Sequence, residues 1–321
     1  MPSSECSSLC AFLAREARRA ASTRGRVWRA YQPYPVTSPS ALDAYNPPIV
    51  FRVQQGGSMR SFVALLVALG CAGLVIAADR FPAAGGDIEI TPIIHASVQI
   101  EHAGKVIQVD PWSHGDLSQA KPADLILITD DIGHHLDMKA IERLRKVGAP
   151  VVMPASGKAQ VPDGIVLANG GTTTAAGVRV DAIAAYDIKP GAPEHPKGEA
   201  NGYVIALGGK RIYVAGVTEC VAEVKALKNL DVAFMPMNIP VERMTPAEAA
   251  ACTRAIKPKV VYVYHYDQDF ASRAANPSAK PQGLPGGITV AQSLHAFREA
   301  MKGGPTEVRS AQWYPVRGPS E

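Results

Sequence analysis

The chain has 321 residues, 47% of them apolar, enough to bury the core of one large domain or two small ones. With 33 Lys and Arg against 29 Asp and Glu the net charge is only +4, which argues against a nucleic-acid-binding body. The positive excess lies early, at Arg15, Arg18, Arg19, Arg24, Arg26 and Arg29, in a Ser-, Arg- and Pro-rich leader without sustained periodicity; a solvated segment is the plain reading.

Residues 59–78, "MRSFVALLVALGCAGLVIAA", have the layout of a secretory signal peptide, with Val75 and Ala77 at the recognition positions for cleavage after Ala77. The competing reading is a transmembrane anchor; "ALGC" matches a lipid-attachment motif at Cys71 only weakly. A signal peptide belongs at the start of a chain, so Met59 is the expected start and residues 1–58 an over-extended or disordered leader. The expectation is an exported protein, periplasmic or secreted, touching membrane only through this segment and having no nucleic-acid partner. Beyond it only Cys220 and Cys252 remain; their spacing is not that of a zinc knuckle, and in an oxidising compartment they either pair or stay as buried thiols.

From residue 87 strands and helices alternate. "IEITPIIHASVQIEHAGKVIQVDP" reads as two strands joined at "HAGK", and "ADLILIT" as a short buried strand. Asp137 caps a helix, "MKAIERLRKVG", with Met138, Ile141 and Leu144 on one face and Gly148 at its end. "PVVMP" is a strand, residues 164–187 are consecutive strands with Gly turns, and "NGYVIALGGKRIYVAG" is a hairpin. "CVAEVKALKNL" reads as helical and "DVAFMPMN" as a strand. "TPAEAAACTRAI" opens with a capping box, Thr245 with Glu248, and Pro246 in the first turn. "KVVYVYHYD" is a strand, residues 271–288 a surface loop, and "TVAQSLHAFREAMK" a helix burying Val290, Leu294, Phe297 and Met301. The tail after Met301 is a last strand or loose. Hairpins followed by strand–helix alternation predict a mixed sheet system with helices outside, and no internal repeat is evident.

Five segments in order, "HASVQIEHAGKVIQVDP", "ADLILITDDIGHHLD", "HPKGEANGYVIALGGKRIYVAGVTE", "DVAFMPMN" and "KVVYVYHY", give residues 88–302 a resemblance to the metallo-β-lactamase superfamily, on the branch related to ascorbate-6-phosphate lactonases. The resemblance implies an α/β fold, a four-layer αββα sandwich over about 87–318, with a metal site at one edge of the two sheets. The family's turn is His-x-His-x-Asp-His, with a variant beginning in Asp. Here those places are Asp130, Ile132, His134 and His135; the later ligand is His195, the bridging Asp is replaced by Val217, and the final His is His265.

By this resemblance the metal candidates are Asp130, His134, His135, His195 and His265. Without the bridging carboxylate one divalent ion, of the zinc class, is expected rather than two, held by three imidazoles from His134, His135 and His265. Such an ion activates water and polarises an electrophile. The catalytic candidates are Asp130, His134 and Glu219, with Asp130 or Glu219 handling the proton. The expected function is hydrolysis of a small ester, lactone or phosphoester. The alternative is a metal-free descendant that only binds in the cleft, since Ile132 and Val217 put hydrocarbon where ligands are expected. A cysteine enzyme using Cys220 is a weaker third reading. His95, on a predicted strand, reads equally as a group orienting a ligand or as a core histidine. Asp110 and Asp137 read as structural, and His102, His114 and His295 as solvated.

Overall fold

The computed structural model describes residues 78–309, except 192, 239–242, 268–272, 274, 275, 277, 279 and 281–284. The leader (1–58), nearly all of the signal-like segment, most of the expected loop and the tail beyond 309 lie outside the described residues. No helix among those described is long and apolar enough to cross a membrane.

Alternating apolar residues and glycine turns fold the first half of the domain into one seven-stranded sheet. Its strands are β1 (Asp79–Phe81), β2 (Ile88–Ile94), β3 (Ser97–His102), β4 (Lys105–Val109), β5 (Leu125–Leu127), β6 (Val151–Met153) and β7 (Ile165–Val166), in that spatial order. The second sheet repeats the plan with β8 (Thr172–Ala175), β9 (Val178–Ala185), β10 (Ala200–Leu207), β11 (Lys210–Val214), β12 (Val232–Pro236), β13 (Val260–Tyr264) and β14 (Glu307–Arg309). In each sheet the first four strands are antiparallel and the last three add in parallel. The two halves thus share an architecture that sequence comparison within the chain did not reveal.

Period-two side-chain alternation builds the layers. In the β5 region Leu125 and Leu127 join the large core that also contains Val204, Tyr213 and Phe234 of the second sheet. Ile126 and Ile128 face the other way, against Ile141 of helix α1 (Met138–Leu144). The short helix α2 (Ala222–Lys225), α3 (Pro246–Ile256) and α4 (Val290–Met301) contribute Val224, Ala250, Phe297 and Met301 to the large core. This is the expected αββα sandwich.

Local signals behave as physical chemistry requires. Asp137 caps α1 by accepting from the amides of Lys139 and Ala140, and Thr245 and Glu248 form the predicted capping box of α3. α1 stops at Leu144, before Gly148, because Arg145 is drawn into a bridge with Ala123. The helical reading after Cys220 shrinks to one turn.

The main local correction concerns the first predicted hairpin, which is three strands. The chain turns at His95 and Ala96, where His95 takes the left-handed conformation, φ 53°. No glycine marks that turn, so the sequence pattern runs through it.

Candidate metal centre

Candidate site residues gather where strands end. His95 follows β2, Asp110 follows β4 and His265 follows β13, and all three have positive φ (53°, 44° and 57°). Non-glycine residues in that region cost energy and persist only where surrounding structure holds them. Here the sheets supply that hold. The His265 amide donates to the His95 carbonyl (3.3 Å), and the Asn201 amide to the Thr129 carbonyl (2.8 Å). The Tyr203 hydroxyl donates to the Ile128 carbonyl (2.7 Å). Gly216 is needed beside them: at φ 66°, a Cβ there would lie 2.7 Å from the Asn201 carbonyl oxygen.

Four imidazoles meet at this edge. His95, His134, His135 and His265 each offer a ring nitrogen, and these nitrogens all lie within 4.8 Å of one another. His95, His135 and His265 are buried, while His134 is partly accessible. The His135 and His265 Nε2 atoms face each other at 3.3 Å. Asp110, fully buried, accepts from the Thr129 amide (2.8 Å), the Thr129 hydroxyl (2.6 Å) and His135 Nδ1 (2.8 Å). Asp267 does the same for His95 Nδ1 (2.7 Å). A carboxylate only accepts, so each of these rings donates from Nδ1, which leaves Nε2 as the nitrogen it can offer to a metal. Buried Trp112 flanks the group, its ring centroid 6.1 Å from those of both His95 and His134.

The donor set fits a borderline divalent ion. Burial and the neighbouring imidazoles hold His134 and His265 well below the ordinary histidine range, so both are neutral and able to donate a lone pair. His265 Nδ1 is buried with no hydrogen-bond partner among the described residues. An all-apolar or fully hydrogen-bonded core would not be built this way.

Of the five expected ligands the structure brings His134, His135 and His265 together, and it adds His95. Asp130 and His195 stand beside this group as a pair: His195 Nδ1 lies 2.8 Å from Asp130 Oδ2, both nearly buried. Burial alone would raise the Asp130 carboxyl, but the His195 hydrogen bond and the His135 and His195 charges bring it below the usual range. Burial opposes protonation of His195, and Asp130 overrides it, raising its pKa.

Glu219 is committed elsewhere. Its Oε2 accepts from the amides of Ile188 and Lys189, and Arg243 Nη1 lies 3.4 Å from its Oε1. These partners tie Glu219 to the backbone of residues 188–189 and to Arg243, so the geometry gives it a holding role. Cys220 is bonded to Cys252, which removes the cysteine-enzyme reading. Ile132 turns outward, 38% exposed, and does not plug the site; its carbonyl takes the His135 and Leu136 amides. Val217 is buried. The one ligand candidate that sequence reasoning missed is His95, for which the only signal was a histidine followed by two small residues after an apolar run.

Beside Asp130, the Asp131 carboxyl is pushed up to about 6 by burial and by the neighbouring carboxylate. Its folded pKa lies above its unfolded value, so it contributes stability below about pH 4 that is lost as pH rises through about 6. Asp131→Asn is therefore expected to stabilise the protein by about 1 kcal/mol at pH 8 and by much less at pH 4, the full linkage being discounted because the residue is only partly buried. Urea unfolding at both values checks this; equal shifts would refute it.

Comparison with known proteins agrees with this architecture. Residues 89–265, more than half of the chain, match the family model described as the β-lactamase superfamily domain. The chain belongs to the metallo-β-lactamase superfamily. Among superfamily relatives, a metal-dependent hydrolase of Thermococcus kodakarensis is 34% identical over 188 residues, 54% of this chain and 82% of the relative. One from Pyrobaculum arsenaticum is 29% identical over 189 residues, 81% of its length. Among superfamily structures, a protein from Parabacteroides distasonis described as a metal-dependent hydrolase superposes with a TM-score of 0.63 at 32% identity, over 75% of this chain and all of that one.

Proposed function

We propose that this protein is an exported metal-dependent hydrolase of a small ester, lactone or phosphoester, working with one divalent ion of the zinc class. The observation that carries the reading is the convergence of His95, His134, His135 and His265. The names of the relatives support hydrolysis with a metal. The Cys220–Cys252 bridge and the signal-like segment support an oxidising compartment.

These four side chains would hold the ion, with Asp110 and Asp267 fixing two of the rings. When bound, such an ion supplies Lewis acidity and water activation near neutral pH. His134, the one of the four that is partly accessible, is the member open to a substrate. The pair beside them handles the proton: Asp130 stays ionised and keeps a proton on His195 Nδ1.

Four nitrogen donors also complete a tetrahedral shell, as in structural zinc sites. That favours a second reading, a protein that holds the metal and binds ligands in its cleft without turning them over. Chelation, reloading with zinc and assay against ester, lactone and phosphodiester substrates separates the two. One equivalent of zinc with turnover that chelation removes supports the hydrolase; zinc without turnover supports the second reading. A protein that takes up no metal under any loading ends both.

A further inference from the structure

His195 sits between β9 and β10 in a stretch with no strand or helix of its own, yet its backbone is tightly held. Asp187 takes it from both sides. The Asp187 amide donates to the His195 carbonyl (2.9 Å), and Asp187 Oδ2 accepts from the amides of Glu194 (2.9 Å) and His195 (3.0 Å). The next two amides of the same stretch, Ile188 and Lys189, donate to Glu219 Oε2 at 2.6 and 2.7 Å. Both carboxylates are almost fully buried, with side chains 2% and 5% exposed. One guanidinium serves both: Arg243 Nη1 lies 3.3 Å from Asp187 Oδ2 and 3.4 Å from Glu219 Oε1.

We propose that Arg243 is a positioning residue for His195, bridging the two carboxylates that grip the loop and so fixing the His195 ring against Asp130. The physical reason is the cost of the alternative. Two carboxylates in a dry site repel, and each needs a cation or a proton. Without Arg243 the two carboxylates lose the cation between them and move apart or draw in water, and either event weakens their hold on the loop amides. The His195 ring, which owes its place to Asp187, then loses its fixed approach to Asp130. Both contacts are made by the one Nη1 atom, which the long, planar guanidinium places between the two acceptors; a lysine ammonium, on a shorter stem, does not reach the same point.

The role of the Asp130–His195 pair in proton handling rests on the proposed function; the grip on the loop does not. The test uses the whole isotopically labelled protein with Arg243→Met and Arg243→Lys. Amide hydrogen exchange is followed at Ile188, Lys189, Glu194 and His195, ring nitrogen signals at His195, and zinc binding in parallel. In Arg243→Met the four amides exchange about 10-fold faster or more. The His195 Nδ1 signal loses its strongly hydrogen-bonded character, zinc binding is retained, and Arg243→Lys falls between parent and Met. Parental exchange and ring signals in Arg243→Met overturn the proposal. If Arg243→Met does not fold, Arg243→Lys decides: faster exchange at the four amides with a weakened His195 Nδ1 signal supports it, and parental exchange and ring signals overturn it. A parent that binds no zinc would end the metal reading, while the exchange and ring signals of that same protein still decide the role of Arg243.

Discussion

Replacing His265 with alanine is expected to abolish zinc uptake, and replacing Asp110 with asparagine to weaken it about 10–100-fold. Within the four-histidine group His265 is the member that follows a strand of the second sheet, and its Nε2 meets that of His135 across 3.3 Å. Alanine there leaves a gap on one side of the group. Asp110 acts at one remove, through His135. An asparagine offers one accepting oxygen where the carboxylate serves the Thr129 amide, the Thr129 hydroxyl and His135 Nδ1. If its amide nitrogen faces His135, the ring must move its proton to Nε2 and loses the lone pair aimed at the metal. If its amide nitrogen faces Thr129 instead, a buried donor is left unpaired, at about 1–3 kcal/mol. Asp110→Asn should therefore lower both zinc affinity, read by competition with a chelator, and thermal stability. An Asp110→Asn protein that binds zinc as tightly as the parent would show that His135 is not a ligand.

The reach of the sequence follows from the kind of signal each feature leaves. Hairpins, the capping box at Thr245 and the buried runs of β5, β12 and β13 are local patterns, and they were legible. Five ordered segments made the sandwich legible as well. Of the four-histidine group, His134, His135 and His265 were legible as candidates because they stand at motif positions. His95 was not, because the turn that swings it toward them is made by a histidine in a left-handed conformation rather than by glycine. Its meeting with His265 depends on the second sheet, 170 residues along the chain from it. The partners of Glu219 were not legible for a related reason. Its position two residues past Val217 is close to the motif in sequence, but its partners, Ile188, Lys189 and Arg243, come from two other segments. His195 and Asp130 matched family positions singly, yet the hydrogen bond between them is a property of the loop clamp, which no local pattern encodes.

The second large effect is expected at the disulfide. Cys220 and Cys252 lie 32 residues apart, and closing a loop of that size in the unfolded chain stabilises the fold by about 3–4 kcal/mol on chain-entropy grounds. Cys220→Ser with Cys252→Ala should then lower the melting temperature by about 10 °C for a domain of this length. The consequence is not confined to stability. Cys220 follows Glu219 directly, and the bridge anchors it to α3, whose Glu248 also holds Lys189 of the His195 loop (2.8 Å). Cutting the bridge should therefore speed amide exchange at Ile188 and Lys189 well before the sheets open, while the four-histidine group keeps its metal. The same chemistry bears on where the protein works, because a bridge of this kind persists in an oxidising compartment and is lost in a reducing one. Thiol titration of the native protein under denaturing conditions reads it directly. No free thiol at Cys220 and Cys252 agrees with export, and two reactive thiols would remove both the predicted stabilisation and the support that the bridge lends to an exported enzyme.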